Sequence, residues 1–284
     1  MKIGDFELYR ELLLRHSGLS LTAEKSYLLD SRLTPVARKW GYPTLDAMTL
    51  ALRGLPDTNL LNDVIEAMAT SETAFFRDMP AFHALRDTLI PHLVKDRGRH
   101  RQLRIWSAGS ATGQEAYSIA IMLKEMEAKL KGWKIEILGT DISSQALRKA
   151  RNADYTQFEV QRGLPVSYLI KYFQERDDTW HLSDPIRSLV SFEQCNLIEP
   201  FDELGLFDII FCRNVLHNFE ERTRSRILDR FSDQLAENGF LVLGGNENLN
   251  GLQTDFQPLE GGPALYGHRA GRYRLDSPKQ AVSS

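Results

Sequence analysis

The chain has 284 residues, of which 42% are hydrophobic and 26% charged, and a formal net charge of −3. These proportions belong to an ordinary soluble globular protein of one large or two modest domains, and the balance of charge excludes a bulk basic footprint for nucleic acid. No apolar run approaches the roughly 20 residues a membrane-spanning helix needs.

The first residues, MKIGDFELYRELLLRHSG, are broken by Asp5, Glu7, Arg10 and Glu11, which argues against a signal peptide and for cytoplasmic residence. Phe6, Tyr9, Leu12, Leu13 and Leu14 recur at helical spacing, with Gly18 as a stop. Thr22 is a candidate cap for a second helix running through Leu28 and Leu29 toward Trp40, which Pro35 is expected to kink or divide. Two further helices are expected over 44–53 and 57–69, separated by Gly54 and Pro56. Lys25, Arg32 and Lys39 recur every seven residues, so an unbroken helix would align them as a basic stripe with Arg38 at its margin. A solvated charged face explains the same pattern. The run Lys95, Arg97, Arg99, Arg101 reads as a solvated connection.

From Leu103 onward β-prone and helical stretches alternate. Strands are expected at 103–107, 134–140, 189–194, 207–212 and 239–243, and helices at 114–131, 143–151 and 220–236. Near-continuous apolar strands separated by helices imply an α/β fold whose mostly parallel sheet is covered on both faces. Residues 254–258 and 264–268 read as a closing hairpin around Gly261 and Gly262. The stretch 155–188 fits no βαβ unit and reads as an inserted subdomain, with a helix at 165–173 and β-prone pieces near Trp180 and Ile186. The expected organisation is a helical domain over 1–70, an α/β domain over 71–270 and a disordered tail over 271–284. Cys195 and Cys212 fall in predicted core strands without disulfide or metal-ligand spacing.

The most informative segment is Leu103 to Ile119, LRIWSAGSATGQEAYSI. A strand, a turn of small residues and a helix together suit a nucleotide-like ligand: small side chains admit it to the backbone, and free helix N–H groups face it. The glycines run Gly109-x-x-x-Gly113, not the G-x-G-x-x-G that a dinucleotide pyrophosphate requires, so a cofactor such as S-adenosylmethionine fits better. Asp141 closes the next strand, where an acid can accept both ribose hydroxyls or cap the following helix. Arg213 and Asn214 close a later one, at the edge where open α/β sheets hold ligands. In SETAFFRD (71–78), Phe75 and Phe76 supply anchors, and Arg77 offers a planar fork of donors for a carboxylate. His217 is a candidate base, although a lone histidine is more often structural.

These segments resemble the chemotaxis receptor glutamate O-methyltransferases, the CheR family. Glu72–Asp78 resembles its N-E-T-x-F-F-R-D signature and Arg104–Ala120 its R-I-W-S-A-G-C-S-T-G-E-E-P-Y-S-I-A motif, and GTDI, the Asn196-Leu197 pair and FCRNVL follow in order and spacing. The resemblance spans roughly residues 5 to 268. It implies a small all-α domain, then a Rossmann-like S-adenosylmethionine methyltransferase domain carrying a small β-subdomain. It also implies transfer of the methyl group to glutamates on the cytoplasmic helical bundle of chemoreceptors, giving γ-methyl esters and S-adenosylhomocysteine. Matching cofactor positions are Thr73, Arg77, Glu115, Asp141, Asn196, Leu197, Arg213 and Asn214; Ser71, Gly109 and Gly113 complete the expected set.

A carboxylate acceptor is already ionised at neutral pH, so alignment and water exclusion replace a general base. Arg77 is the candidate for orienting that carboxylate, the alternative being the cofactor's own carboxylate. Asn218 stands where the family has a tyrosine that helps orient the transfer; it and Arg77 form the expected catalytic pair. Ser71, Gln114, Ala116 and the GGNE run at 244–247 also depart from the family pattern. These departures motivate an alternative reading as a catalytically weakened, cofactor-binding sensor module. Lys25, Arg32, Arg38 and Lys39 are the expected receptor-facing residues of a monomer. Some family members dock a receptor pentapeptide through a longer, glycine-containing loop; Gln174–Trp180 is compact and lacks glycine, so no such tether is expected.

Overall fold

The computed structural model describes residues 3–54, 57–69, 72–260, 262, 264–273 and 275. Ser71 and residues 276–284 of the expected tail lie outside the described residues.

The chain opens with four helices, α1 (Ile3–Ser17), α2 (Tyr27–Lys39), α3 (Leu45–Leu52) and α4 (Thr58–Met68). Their apolar faces meet in one core that includes Tyr9, Leu13, Leu29, Leu33, Met48, Val64 and Met68. Caps explain the starts of α3 and α4, where Thr44 and Asp57 accept from Ala47 N and Asn59 N. Two expectations fail here. Thr22 makes no capping bond and precedes only a short 3-10 turn, Ala23–Lys25. Pro35 does not divide α2: Leu29, Leu33, Val36 and Ala37 are buried on both sides of it, and packing holds the helix together across the missing hydrogen bond. The basic stripe is broken as well, because Lys25 sits in the separate 3-10 turn, Arg32 donates to the Met68 carbonyl and Lys39 pairs with Asp63 at 2.7 Å.

A connecting arm leads through α5 (Met79–Ala84), a π-helical turn and α6 (Ile90–Asp96) into the α/β domain. Its first strands and helices are β1 (Gln102–Ala108), α7 (Gln114–Glu125), β2 (Lys134–Asp141) and α8 (Ser144–Asn152). The inserted piece follows: β3 (Asp154–Thr156), α9 (Gln157–Gln161), α10 (Val166–Tyr172), β4 (Phe173–Arg176), β5 (Thr179–Leu182) and α11 (Asp184–Arg187). The domain closes with β6 (Val190–Gln194), β7 (Phe207–Cys212), α12 (Glu221–Gln234), β8 (Leu235–Leu243), β9 (Phe256–Pro258) and β10 (Leu265–His268).

Seven strands form one sheet in the order β6-β2-β1-β7-β8-β10-β9, parallel except where β10 and β9 add the expected hairpin. Alternation along the strands feeds two cores. Leu103, Ile105, Ile209 and Phe211 face one; Trp106, Ala108, Ile210 and Cys212 face the other. The inserted piece is a three-stranded antiparallel sheet, β3-β5-β4, with a two-residue Asp177-Asp178 turn between β4 and β5. Ile186 lies in α11, not in a strand: Pro185 at the helix start lacks a ladder donor and favours a helical first turn. Arg97 is no solvated connector; it pairs with buried Asp208. Order extends past Gly271, since Tyr273 packs on Phe240 and donates to the Gly239 carbonyl.

A candidate cofactor cleft at the carboxyl edge of the sheet

Chain order reverses at β1, whose neighbours are β2 and β7, and the carboxyl ends of these three strands open onto a cleft. With its open solvent the cleft encloses about 880 Å³, within the range of small-molecule sites. Thr73, Arg77, Gly109, Glu115, Asp141, Asn196, Leu197, Arg213, Asn214 and Asn218 all line it. Gly113 does not. Its φ is +93°, and an added Cβ would lie 2.9 Å from the Ala150 Cβ, so this glycine serves packing of α7 against α8.

Asp141 stands at the tip of β2, and each of its oxygens accepts one backbone N–H: Oδ1 from Ser143 and Oδ2 from Ala111, both at 2.9 Å. Each oxygen keeps a second lone-pair direction for a ligand hydroxyl. It does not cap α8; Ser143 does, accepting from Ala146 N. Burial raises the Asp141 carboxyl above its usual range, Glu66 adds to this, and the two backbone donors work against it.

Arg213, buried to 1% exposure of its side chain, pairs with Glu115 and Asp78 at 3.0 Å each and donates to the Arg77 carbonyl at 2.6 Å. Ser107 of β1 completes the array by donating to Glu115 at 2.8 Å. The segment bearing Arg77 is thus tied to the sheet through its main chain, and the apolar anchors expected at Phe75 and Phe76 are buried against Tyr155, Phe173, Phe82 and Tyr168. The Arg77 side chain donates to the Glu72 carbonyl at 3.0 Å and, among the described residues, forms no ion pair.

Asn214 adopts φ +59°, and its Oδ1 is buried without a partner. Glu247, missed as a site residue, holds this loop. Its carboxylate accepts from Asn214 N at 2.7 Å, Gly244 N at 3.0 Å and both His217 N and Nδ1 at 3.3 Å. Burial opposes ionisation of Glu247, but these hydrogen bonds outweigh it and hold the carboxyl below its ordinary range. The available signal was its place just beyond the apolar run that ends β8. His217 is exposed and serves this clamp.

Asn218 turns its amide onto the Val215 carbonyl at 3.2 Å, and Asn196 donates to the His16 carbonyl at 2.8 Å. Cys195 is not in a strand core: it follows β6 and lines the cleft, where burial pushes its thiol up to about 11 and leaves it protonated and weakly nucleophilic. The helical domain supplies part of the wall, through Ser17, Leu19 and Ala69.

These groups fit S-adenosylmethionine. Asp141 has free acceptor directions for ribose hydroxyls, and the orphaned Asn214 Oδ1 needs a donor. Arg77 forms no salt bridge among the described residues, its nearest acid being Glu72, which pairs with Arg162, and Leu19, Ile142, Leu197, Val215 and Phe219 offer apolar walls for a base.

Comparison with known families matches residues 71–264 to the CheR methyltransferase, SAM binding domain, and residues 4–68 to the CheR methyltransferase, all-alpha domain. Chemotaxis protein methyltransferase Cher2 of Pseudomonas putida is 35% identical over 265 residues, covering 92% of this chain and 96% of that protein. Chemotaxis protein methyltransferase 1 of Pseudomonas aeruginosa is 35% identical over 267 residues, with the same two coverages. Chemotaxis protein methyltransferase 1 of Vibrio cholerae is 34% identical over 251 residues, 87% of this chain and 90% of that protein. This chain belongs to the CheR methyltransferase family, and its α/β domain is that family's S-adenosylmethionine-binding methyltransferase domain.

Proposed function

We propose that the chain is a cytoplasmic protein-glutamate O-methyltransferase of chemoreceptor adaptation, forming γ-methyl esters on glutamates of the receptors' helical bundle. The observation that carries this reading is the Arg77 guanidinium, which lines the same cleft as Asp141 and Asn214 without a salt-bridge partner among the described residues. An acidic acceptor provides that partner.

When bound, S-adenosylmethionine supplies a methyl group on a positively charged sulfur. Asp141 accepts ribose hydroxyls, and Asn214, held by Glu247, offers its side-chain carbonyl. Arg77 orients the acceptor carboxylate with its two-pronged donor geometry. Because a glutamate is ionised at neutral pH, the residues need only align it and exclude water, and alignment alone accounts for large rate factors. A smaller cavity of about 500 Å³ shares Leu19 and Asn218 with the cleft and is lined by Lys25 and Arg32, which favours an acidic partner approaching from the helical domain. Arg38 is exposed on α2 but does not line this cavity.

The test is transfer of labelled methyl groups to a receptor cytoplasmic fragment. Base-labile label on glutamates is expected; cofactor binding without transfer refutes the activity. Because the β4–β5 turn contains only Asp177 and Asp178, a receptor-tail pentapeptide is expected to show no micromolar binding by calorimetry. Saturable micromolar binding would overturn that expectation.

A further inference from the structure

The helical domain reaches into the cofactor site at a point the cleft lining does not reveal. Helix α8 starts directly after the Asp141–Ser143 turn, and Ser143 satisfies only one of its free first-turn amides. The two before it are taken by a residue far away in sequence. Glu66, on α4 of the helical domain, accepts from Ser144 N at 3.0 Å through one oxygen and from Gln145 N at 3.2 Å through the other. It also receives the Ser143 hydroxyl at 3.1 Å. A carboxylate at a helix N-terminus is favoured both by hydrogen bonding and by the helix dipole.

We propose that Glu66 is a positioning residue for the cofactor: by capping α8 from another domain, it fixes the turn that aims Asp141 and couples docking of the helical domain to cofactor affinity. This rests on the reading of Asp141 as the ribose acceptor. The rest of the turn is held from the sheet side, by Gln194 Nε2 on the Ile142 carbonyl at 2.8 Å and Cys195 N on the Asp141 carbonyl at 3.1 Å. Glu66 is the matching hold from the other side.

The domains meet closely enough for such coupling. Gly18, at φ +71°, lies where a Cβ would stand 2.6 Å from Ile198 Cγ2, so only glycine permits this approach. Ser20 N donates to the Asn218 carbonyl at 2.9 Å, and Leu19 forms a bridge with Phe219. Both contacts lie at the cleft.

The experiment compares full-length wild type, Glu66→Ala, Glu66→Gln and Asp141→Asn. It uses calorimetry with S-adenosylhomocysteine and amide hydrogen exchange at Ser144 and Gln145. Glu66→Ala should weaken S-adenosylhomocysteine about tenfold, the scale of a lost helix cap. It should also speed exchange at those two amides, raise KM for the cofactor and leave kcat at saturation unchanged. Glu66→Gln, which keeps one acceptor oxygen, should fall between, and it carries the test if the alanine variant does not fold. Asp141→Asn is the control for the underlying reading. If it binds normally, the site assignment fails and the proposal falls with it. If it binds weakly while the Glu66 variants bind normally, or if exchange at Ser144 and Gln145 is unchanged, the proposal alone is refuted.

Discussion

Arg77→Ala is expected to reduce methyl transfer to a receptor fragment by at least about 100-fold, the scale for removing one preorganised charge-stabilising donor. The fold should survive. The Arg77 main chain is held independently, through its carbonyl bonded to Arg213 and through the buried rings of Phe75 and Phe76. Among the described residues its side chain makes one hydrogen bond, to the Glu72 carbonyl, and a weak attraction to the exposed Glu72 carboxylate, so the stability change should stay within about 1 kcal/mol. Kinetics then separates the two roles open to this arginine. If it orients the acceptor, kcat falls while affinity for S-adenosylhomocysteine is unchanged. If it holds the cofactor's own carboxylate, KM for the cofactor rises and S-adenosylhomocysteine binds more weakly. Arg77→Lys should recover little in either case, because an ammonium cannot reproduce the planar fork. Turnover equal to wild type in Arg77→Ala would remove this residue from the mechanism.

The parts of the molecule legible in the sequence are those governed by short-range rules. The strands ending at Ala108, Asp141 and Cys212 announce themselves as apolar runs closed by small or polar residues, and a parallel sheet brings such ends to one edge. Asp141, Arg213 and Asn214 therefore fall together in the cleft as expected. What was hidden depends on contacts between distant residues. Nothing local marks Glu66 as the cap of a helix some eighty positions onward, or Ser17 and Leu19 as cleft wall. Pro35 misleads because local helix breaking is overridden by four buried neighbours, a tertiary effect. Gly113 misleads differently: phosphate-type turns and tight helix packing both select glycine, and only the neighbouring Ala150, Phe192 and Tyr117 distinguish them. The strands β3 and β4 are only three and four residues long, too short for an alternating pattern to stand out.

The second large effect concerns Arg213. Its side chain is almost wholly buried, and it binds Glu115 of α7, Asp78 of the arm and the Arg77 carbonyl at once. Removing Arg213 leaves the buried Glu115 carboxylate desolvated and uncompensated, which costs about 3–5 kcal/mol, whereas half-exposed Asp78 is rehydrated and adds little. Arg213→Met keeps most of the packing volume against Phe82 and should therefore report the charge loss itself. Urea unfolding followed through Trp106, buried in the same sheet, should show a midpoint lowered by that amount of stability. Neutralising the stranded acid offers the internal check. In Arg213→Met/Glu115→Gln the penalty should be smaller than in the single variant, because a buried amide with Ser107 as its partner is less unfavourable than a buried carboxylate deprived of its cation. Methyl transfer should not recover with stability in the double variant, since the arm bearing Arg77 has still lost its tie to the end of β7 and the cleft residue Glu115 is itself altered. Recovery of both together would mean that Arg213 supports folding alone and that the arm finds its place over the cleft without it.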